Sequence, residues 1–198
     1  MKGLNIIMIS FAVKSYEKVN IFVLIFSVVL FLSFLFYFLP GESENSKVYY
    51  GETKAPDTSF IYSGNDLFNM AREFGQGGRD YYIRSRITFD ILWPVSYGLF
   101  LWALIASLGK SIKNKPFKTI ILLPFLGVIL DYLENIGASA VMYFYPVRIN
   151  LLNNVVPIFT FLKWVLIGAT FFVVVCLVVY RAVCFVRTCF EKTNNHIC

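Results

Sequence analysis

Thr119-Ile-Ile-Leu-Leu-Pro124-Phe-Leu-Gly127-Val-Ile-Leu-Asp131-Tyr-Leu-Glu134-Asn135-Ile-Gly137-Ala-Ser-Ala-Val-Met-Tyr143-Phe-Tyr145 is an apolar stretch with two carboxylates and an amide at its centre. The apolar run starts at Phe117 and is long enough to cross a bilayer, which takes about 20 helical residues. Ionisable groups at that depth are costly and rarely face lipid. Asp131, Glu134 and Asn135 are therefore expected on the inner side of a helix bundle, facing groups that satisfy them.

The rest of the chain repeats the pattern. Hydrophobic residues make up 58% and charged residues 15% of the 198, whereas a soluble domain carries about a quarter charged residues. The apolar residues fall into four blocks, Val19–Leu39, Ile87–Leu108, Thr119–Tyr145 and Val155–Tyr180. Each is long enough to span, and backbone groups in lipid must find partners within their own segment. The expected fold is all-α: an integral membrane four-helix transmembrane bundle forming one domain over residues 1–198. The first block is too long for a signal h-region and lacks a small-residue cleavage site after Pro40, so it reads as a retained anchor. Leu4–Val13 either lies along the inner interface or starts a long first helix.

Lysines and arginines set the orientation. Lys2, Lys14 and Lys18 precede the first block, Lys110, Lys113, Lys115 and Lys118 crowd the loop between the second and third, and Arg181, Arg187 and Lys192 follow the fourth. Positive charge in short loops marks the cytoplasmic side. Both termini, including a tail at 181–198, are therefore expected inside, with an extracytoplasmic loop at 40–78. The net charge of +6 reflects this bias and does not indicate nucleic acid. Cys176, Cys184, Cys189 and Cys198 all lie at or beyond the inner end of the fourth block, with no zinc spacing, and read as free thiols. The single histidine, His196, is in the tail, which rules out a His-rich metal centre or a Ser-His-Asp triad within the membrane. No residue pattern calls for a cofactor or a dedicated metal site.

In the outer loop, Gly41–Pro56 reads as extended or irregular. Ser63 and Asp66 then have capping-box spacing, followed by Leu67, Phe68, Met70, Ala71 and Phe74 at helical intervals. This predicts a short amphipathic helix, stopped by Gly75-Gln-Gly77-Gly78, either on the outer membrane surface or capping the bundle. Helix is expected to resume at Arg79. Arg79, Arg86, Asp90 and Tyr97 then share one stripe, and Pro94 leaves the Asp90 carbonyl without its helical donor. In the third block Asp131, Glu134, Asn135 and Ala138 share a face, and the small residues after Asn135 allow close helix approach. In the fourth, Thr160, Lys163, Ile167 and Thr170 do so. Tyr37, Tyr81, Tyr82, Tyr143 and Tyr145 fit an outer aromatic belt.

The series Gly77-Gly78-Arg79…Tyr82…Arg86…Asp90…Trp93-Pro94…Tyr97, then Leu123-Pro124…Asp131-Tyr132-Leu133-Glu134-Asn135, resembles a group of small uncharacterised bacterial four-span integral membrane proteins. The likeness covers roughly residues 65–146. It implies a four-helix architecture in a bacterial inner, or plasma, membrane, and it implies no activity.

Depth follows from the helical rise of about 1.5 Å per residue. Asp131 falls near the midplane, Glu134 a turn further out, and Lys163 in the outer half, so Glu134 and Lys163 can meet. Asp90 and Arg86 lie shallower. Arg86, Asp90, Tyr97, Asp131, Glu134, Asn135 and Lys163 are thus candidates for a polar pocket in the outer half of the bundle. The first functional reading is binding of a membrane lipid, a small amphiphile or a partner membrane helix. The second is an enzyme on a lipid-like substrate, using Asp131 and Glu134 as acid and base or as cation ligands. The third is a transporter or proton relay, which with four spans demands a homo-oligomer. A purely structural ion-pair network competes with all three.

Overall fold

A computed structural model describes residues 10, 12–51 and 53–195. Among the described residues the chain is helical with no strand, and four helices are long and apolar enough to cross a membrane. Helix α1 covers Ile21–Tyr50, α2 covers Gly64–Glu73, α3 covers Gly75–Gly109, α4 covers Leu123–Phe144 and α5 covers Asn150–Asn195.

Helix α1 starts where Asn20 caps it, its side-chain oxygen accepting from the Val23 N–H at 3.0 Å. Residues 12–18 form a separate helical segment before it, so Lys14 and Lys18 do not begin one long first helix. Tyr16 and Val19 of this stretch are buried against the far end of α3.

The extended stretch expected after Pro40 is not found: the helix runs on to Tyr50. The reason lies just before the proline. Phe34–Phe38 form a π-turn, in which the Leu39 N–H reaches the Phe34 carbonyl. A proline inside a regular helix loses a bond and strikes the carbonyl four residues back; the wider turn accommodates that defect. The polar continuation is held by side chains. Glu42 accepts from the Tyr81 hydroxyl at 2.8 Å and from Ser85 Oγ at 2.6 Å. Tyr49 stacks on Tyr81 and Tyr50 on Phe74, with ring centres 4.2 and 4.1 Å apart. Tyr81 and Tyr82 are accordingly buried and do not belong to an exposed belt, while Tyr37 and Tyr143 are exposed.

The capping box at Ser63 and Asp66 is present. Helix α2 lies across the ends of α4 and α5, burying Leu67 and Ala71. Only Gly75, at φ +62°, breaks the chain there; Gly77 and Gly78 are already in α3, which begins four residues earlier than Arg79. The last helix likewise continues through the expected tail to Asn195. His196 and Cys198, most of Leu4–Val13, and the Cys189 side chain lie outside the described residues.

Helix α4 is central, packing on α5 and α3, while α1 is attached to the outside of α3. The contacts are close where side chains are missing. A Cβ on Gly137 would stand 2.5 Å from Val156 Cγ2, and one on Gly98 would stand 2.6 Å from Val128 Cγ2, as small residues at helix crossings permit. Two apolar clusters result. One, at the lysine-loop end, contains Tyr16, Leu101, Ile105, Ile121 and Leu177. The other, under α2, contains Leu67, Phe74, Tyr82, Met142 and Val156. Along α3, α4 and α5 the buried charged residues Arg86, Asp90, Asp131, Glu134 and Lys163 fall between the two.

Candidate functional site

Each helix brings one part of this polar layer. On α4, one helical turn separates Asp131 from Glu134 and Asn135, so the three point the same way. On α5, Lys163 lies opposite them. Its ammonium contacts Glu134 Oε2 and lies 3.6 Å from Asp131 Oδ1. All three side chains are buried, with Glu134 fully sealed. From α3 the Tyr97 hydroxyl donates to Asp131 Oδ2 at 2.8 Å, and the Asn135 amide donates to Asp131 Oδ1 at 3.3 Å. Asp131 is thus held by three helices, its negative charge shared among a cation, a phenol and an amide.

A second charge group lies one to two turns toward α2. Arg86 bridges Asp90, four residues on, at 2.5 Å and Asp57 at 3.1 Å. Its guanidinium lies 4.4 Å from the ring centre of the buried Tyr82, a contact that offsets part of its desolvation. Asp57 comes from the segment joining α1 to α2. Burial opposes its charge, but Arg86 and Lys163, with the hydrogen bond from Arg86, outweigh that and hold its carboxyl below the usual carboxylate range.

The two groups share the wall of a cleft of about 320 Å³. Arg86, Asp90, Tyr97, Asp131 and Lys163 line it together with Asp57. Phe31, Leu35 and Leu39 of α1 form one apolar side, and Trp164, Ile167 and Phe171 of α5 the other. Because α1 packs chiefly on α3, and α5 on α4 and α3, the cleft opens sideways between α1 and α5. A second cavity of about 290 Å³, reaching Glu42 and Ser46, adjoins it across Asp57, Arg86 and Asp90.

Five of the seven residues singled out from the sequence therefore line one cleft. Glu134 and Asn135 do not line it; they stand behind Asp131 and Lys163. Glu134 and Lys163, expected to meet, do pair, and Arg86 pairs with Asp90 on the stripe they share. Asp57, Glu42 and the Tyr97–Asp131 hydrogen bond were not anticipated. Asp57 and Glu42 belong to polar stretches without an apolar period, so nothing in the sequence tied them to α3. Some polar valences in the layer have no protein partner: Glu134 Oε1, Asn135 Oδ1, Asp57 Oδ1 and Arg86 Nε are all buried without a hydrogen bond. Among the described residues, no group of three or more His, Cys, Asp or Glu side chains could hold a metal ion. The cation that Asp131 and Glu134 both face is the Lys163 ammonium.

Removing Lys163 should leave two buried carboxylates uncompensated. Lys163→Met is expected to cost about 3–5 kcal/mol, the range for breaking a buried pair from one side. Glu134→Gln should recover part of that loss in the double variant. A thermal-unfolding cycle in detergent measures the coupling; additive effects would show that the pair carries no net interaction.

The Asp57 tie is open to a pH test. Its folded pKa lies below the unfolded value of about 3.9, so its contribution is complete above that pH and disappears as pH falls through the folded value. Hydrogen exchange over residues 53–63 should accelerate on acidification in that window. Asp57→Asn should show fast exchange at every pH; an unchanged acid response in that variant would assign the effect to another group.

No family model, curated protein or solved structure matches the chain, so the functional reading rests on this geometry.

Proposed function

We propose that the chain is an integral membrane protein whose four long helices form a transmembrane bundle, and that the lateral cleft between α1 and α5 binds a lipid or a small amphiphile. The observation that carries the reading is the cleft's division into a charged inner wall and apolar sides open between two helices. An amphiphile has the matching division: its headgroup meets Arg86, Asp90, Asp131 and Lys163, and its chain leaves between Leu35 and Ile167 into the bilayer.

Membrane placement is supported by the outward faces. Phe22, Phe36, Ile136 and Phe172, on three different helices, are 69–77% exposed, and apolar surface of that extent calls for lipid or a partner. The positive-inside rule puts the end bearing Lys110, Lys113 and Arg181 in the cytoplasm, together with both termini, and the cleft in the outer half. A bacterial inner membrane is the location that the resemblance noted above implies.

Binding is favoured over transport because the core between Tyr97 and the lysine loop is closed by Leu101, Ile105, Ile121 and Leu177, all essentially unexposed. Among the described residues, these apolar side chains separate the polar layer from the lysine loop. It is favoured over acid–base chemistry with Asp131 and Glu134 because Glu134 is sealed away from the cleft behind Lys163.

Topology is tested with single cysteines in a background lacking the native ones. Glu44→Cys should react with an impermeant maleimide in intact cells, and Ser111→Cys only after permeabilisation. Labelling of both from one side would overturn the four-span arrangement.

Occupancy is tested by native mass spectrometry of the full chain released from maltoside micelles. A retained lipid or amphiphile is expected. Leu35→Trp, which fills the α1 side, should reduce retention while leaving the unfolding temperature near that of the parent. Equal retention in both would place the ligand elsewhere.

A further inference from the structure

Resting on the amphiphile reading, we infer that the headgroup recognised by this cleft carries a primary ammonium. The argument begins with charge. The cleft wall holds three carboxylates, Asp57, Asp90 and Asp131, against two cations, Arg86 and Lys163. Behind the wall Glu134, on the same lysine, adds a fourth carboxylate and no further cation. Four carboxyl groups facing two cations in a water-poor interior are short of positive charge whenever all of them ionise. A bound monocation relieves part of that shortage, and an anionic headgroup adds to it.

The second observation concerns unused hydrogen-bonding capacity. Asp57, on the cleft wall, keeps a buried acceptor, Oδ1, with no donor. A primary ammonium brings three N–H donors, and a quaternary one brings none. Indole rings at Trp93 and Trp164 line the same cleft and favour a cation over a neutral head.

The third observation is Arg86. Its side chain is more than nine-tenths buried and borders both cavities, yet Nε–H has no acceptor. It is a buried donor on the wall that the two cavities share, and an oxygen on the ligand near the ammonium would satisfy it. An aminophospholipid, a zwitterion with phosphate two carbons from the amine, sets its ammonium against the carboxyl groups and its phosphate against Arg86; a simple long-chain amine brings the full positive charge but no oxygen for Arg86.

The test uses the full chain in maltoside micelles with four probes of matched C18 chain chemistry: dioleoyl phosphatidylethanolamine, phosphatidylcholine and phosphatidylglycerol, and oleylamine. Native mass spectrometry reads retention of each in equimolar competition. The ethanolamine lipid should exceed the choline and glycerol lipids by about tenfold, the effect of roughly one charge-assisted hydrogen bond. Retention above oleylamine would assign the phosphate to Arg86 Nε; oleylamine retained as well or better would restrict the site to the ammonium alone, with Arg86 Nε unused. Asp131→Asn should bring the three phospholipids within about twofold of one another. Should that variant fail to fold, Asp90→Asn reads the same charge with Lys163 untouched. Preference for the glycerol lipid, or equal retention of all headgroups, would overturn the inference while leaving an amphiphile cleft. Retention of none of the four would instead remove the amphiphile reading itself.

Discussion

Lys163 is the constraint around which the helices are arranged. A buried ammonium must have anions within reach, and it finds two, Asp131 and Glu134, on one turn of α4. That pairing fixes the rotation of α5 about its own axis and its height relative to α4. The same requirement passes to α3 through Asp131, whose other oxygen accepts from Tyr97. Three helices are therefore registered by one cation and one carboxylate. Apolar packing at Gly137 and Gly98 then brings the backbones together without deciding the register. Buried ion pairs add little net stability compared with apolar substitutes. Their cost is better explained by what they specify: a polar layer at one depth between two apolar clusters.

The end of the molecule under α2 is built differently. There hydrogen bonds and stacked rings hold the chain alongside close glycine contacts at Gly64 and Gly78. Glu42, Tyr49 and Tyr50 dock the polar half of α1 onto α3 and the end of α2. Asp57 then brings the connecting segment onto Arg86. This polar architecture allows the cleft to be walled by charged groups on one side and hydrocarbon on the other.

Much of this was legible in the sequence, for a physical reason. Helical periodicity is set by covalent geometry, so Asp131, Glu134 and Asn135 had to share a face, and so did Arg86, Asp90 and Tyr97. Depth counted by rise alone brought Lys163 to Glu134. The capping box at Ser63 and Asp66 is a local motif and was equally readable. Contacts between segments distant in the chain were not legible. Glu42 and Asp57 sit in polar stretches where no repeat reveals a face, and Tyr81 and Tyr82 have the composition of interface residues while serving as core. The π-turn before Pro40 was missed because a proline after an apolar block has two outcomes. It ends the helix or is absorbed by it, and the choice depends on docking partners forty residues away.

The fastening of α1 has a consequence for the cleft. At one end the chain leading into it is held where Lys110 donates to the Val19 carbonyl at 2.6 Å. At the other it is held by Glu42. Between these anchors lies the π-turn, and Leu35 and Leu39, which border the cleft, flank or belong to it. The π-turn lies nearer the Glu42 anchor, on the stretch of α1 that borders the cleft, so the irregular turn that admits Pro40 also shapes the cleft's apolar wall.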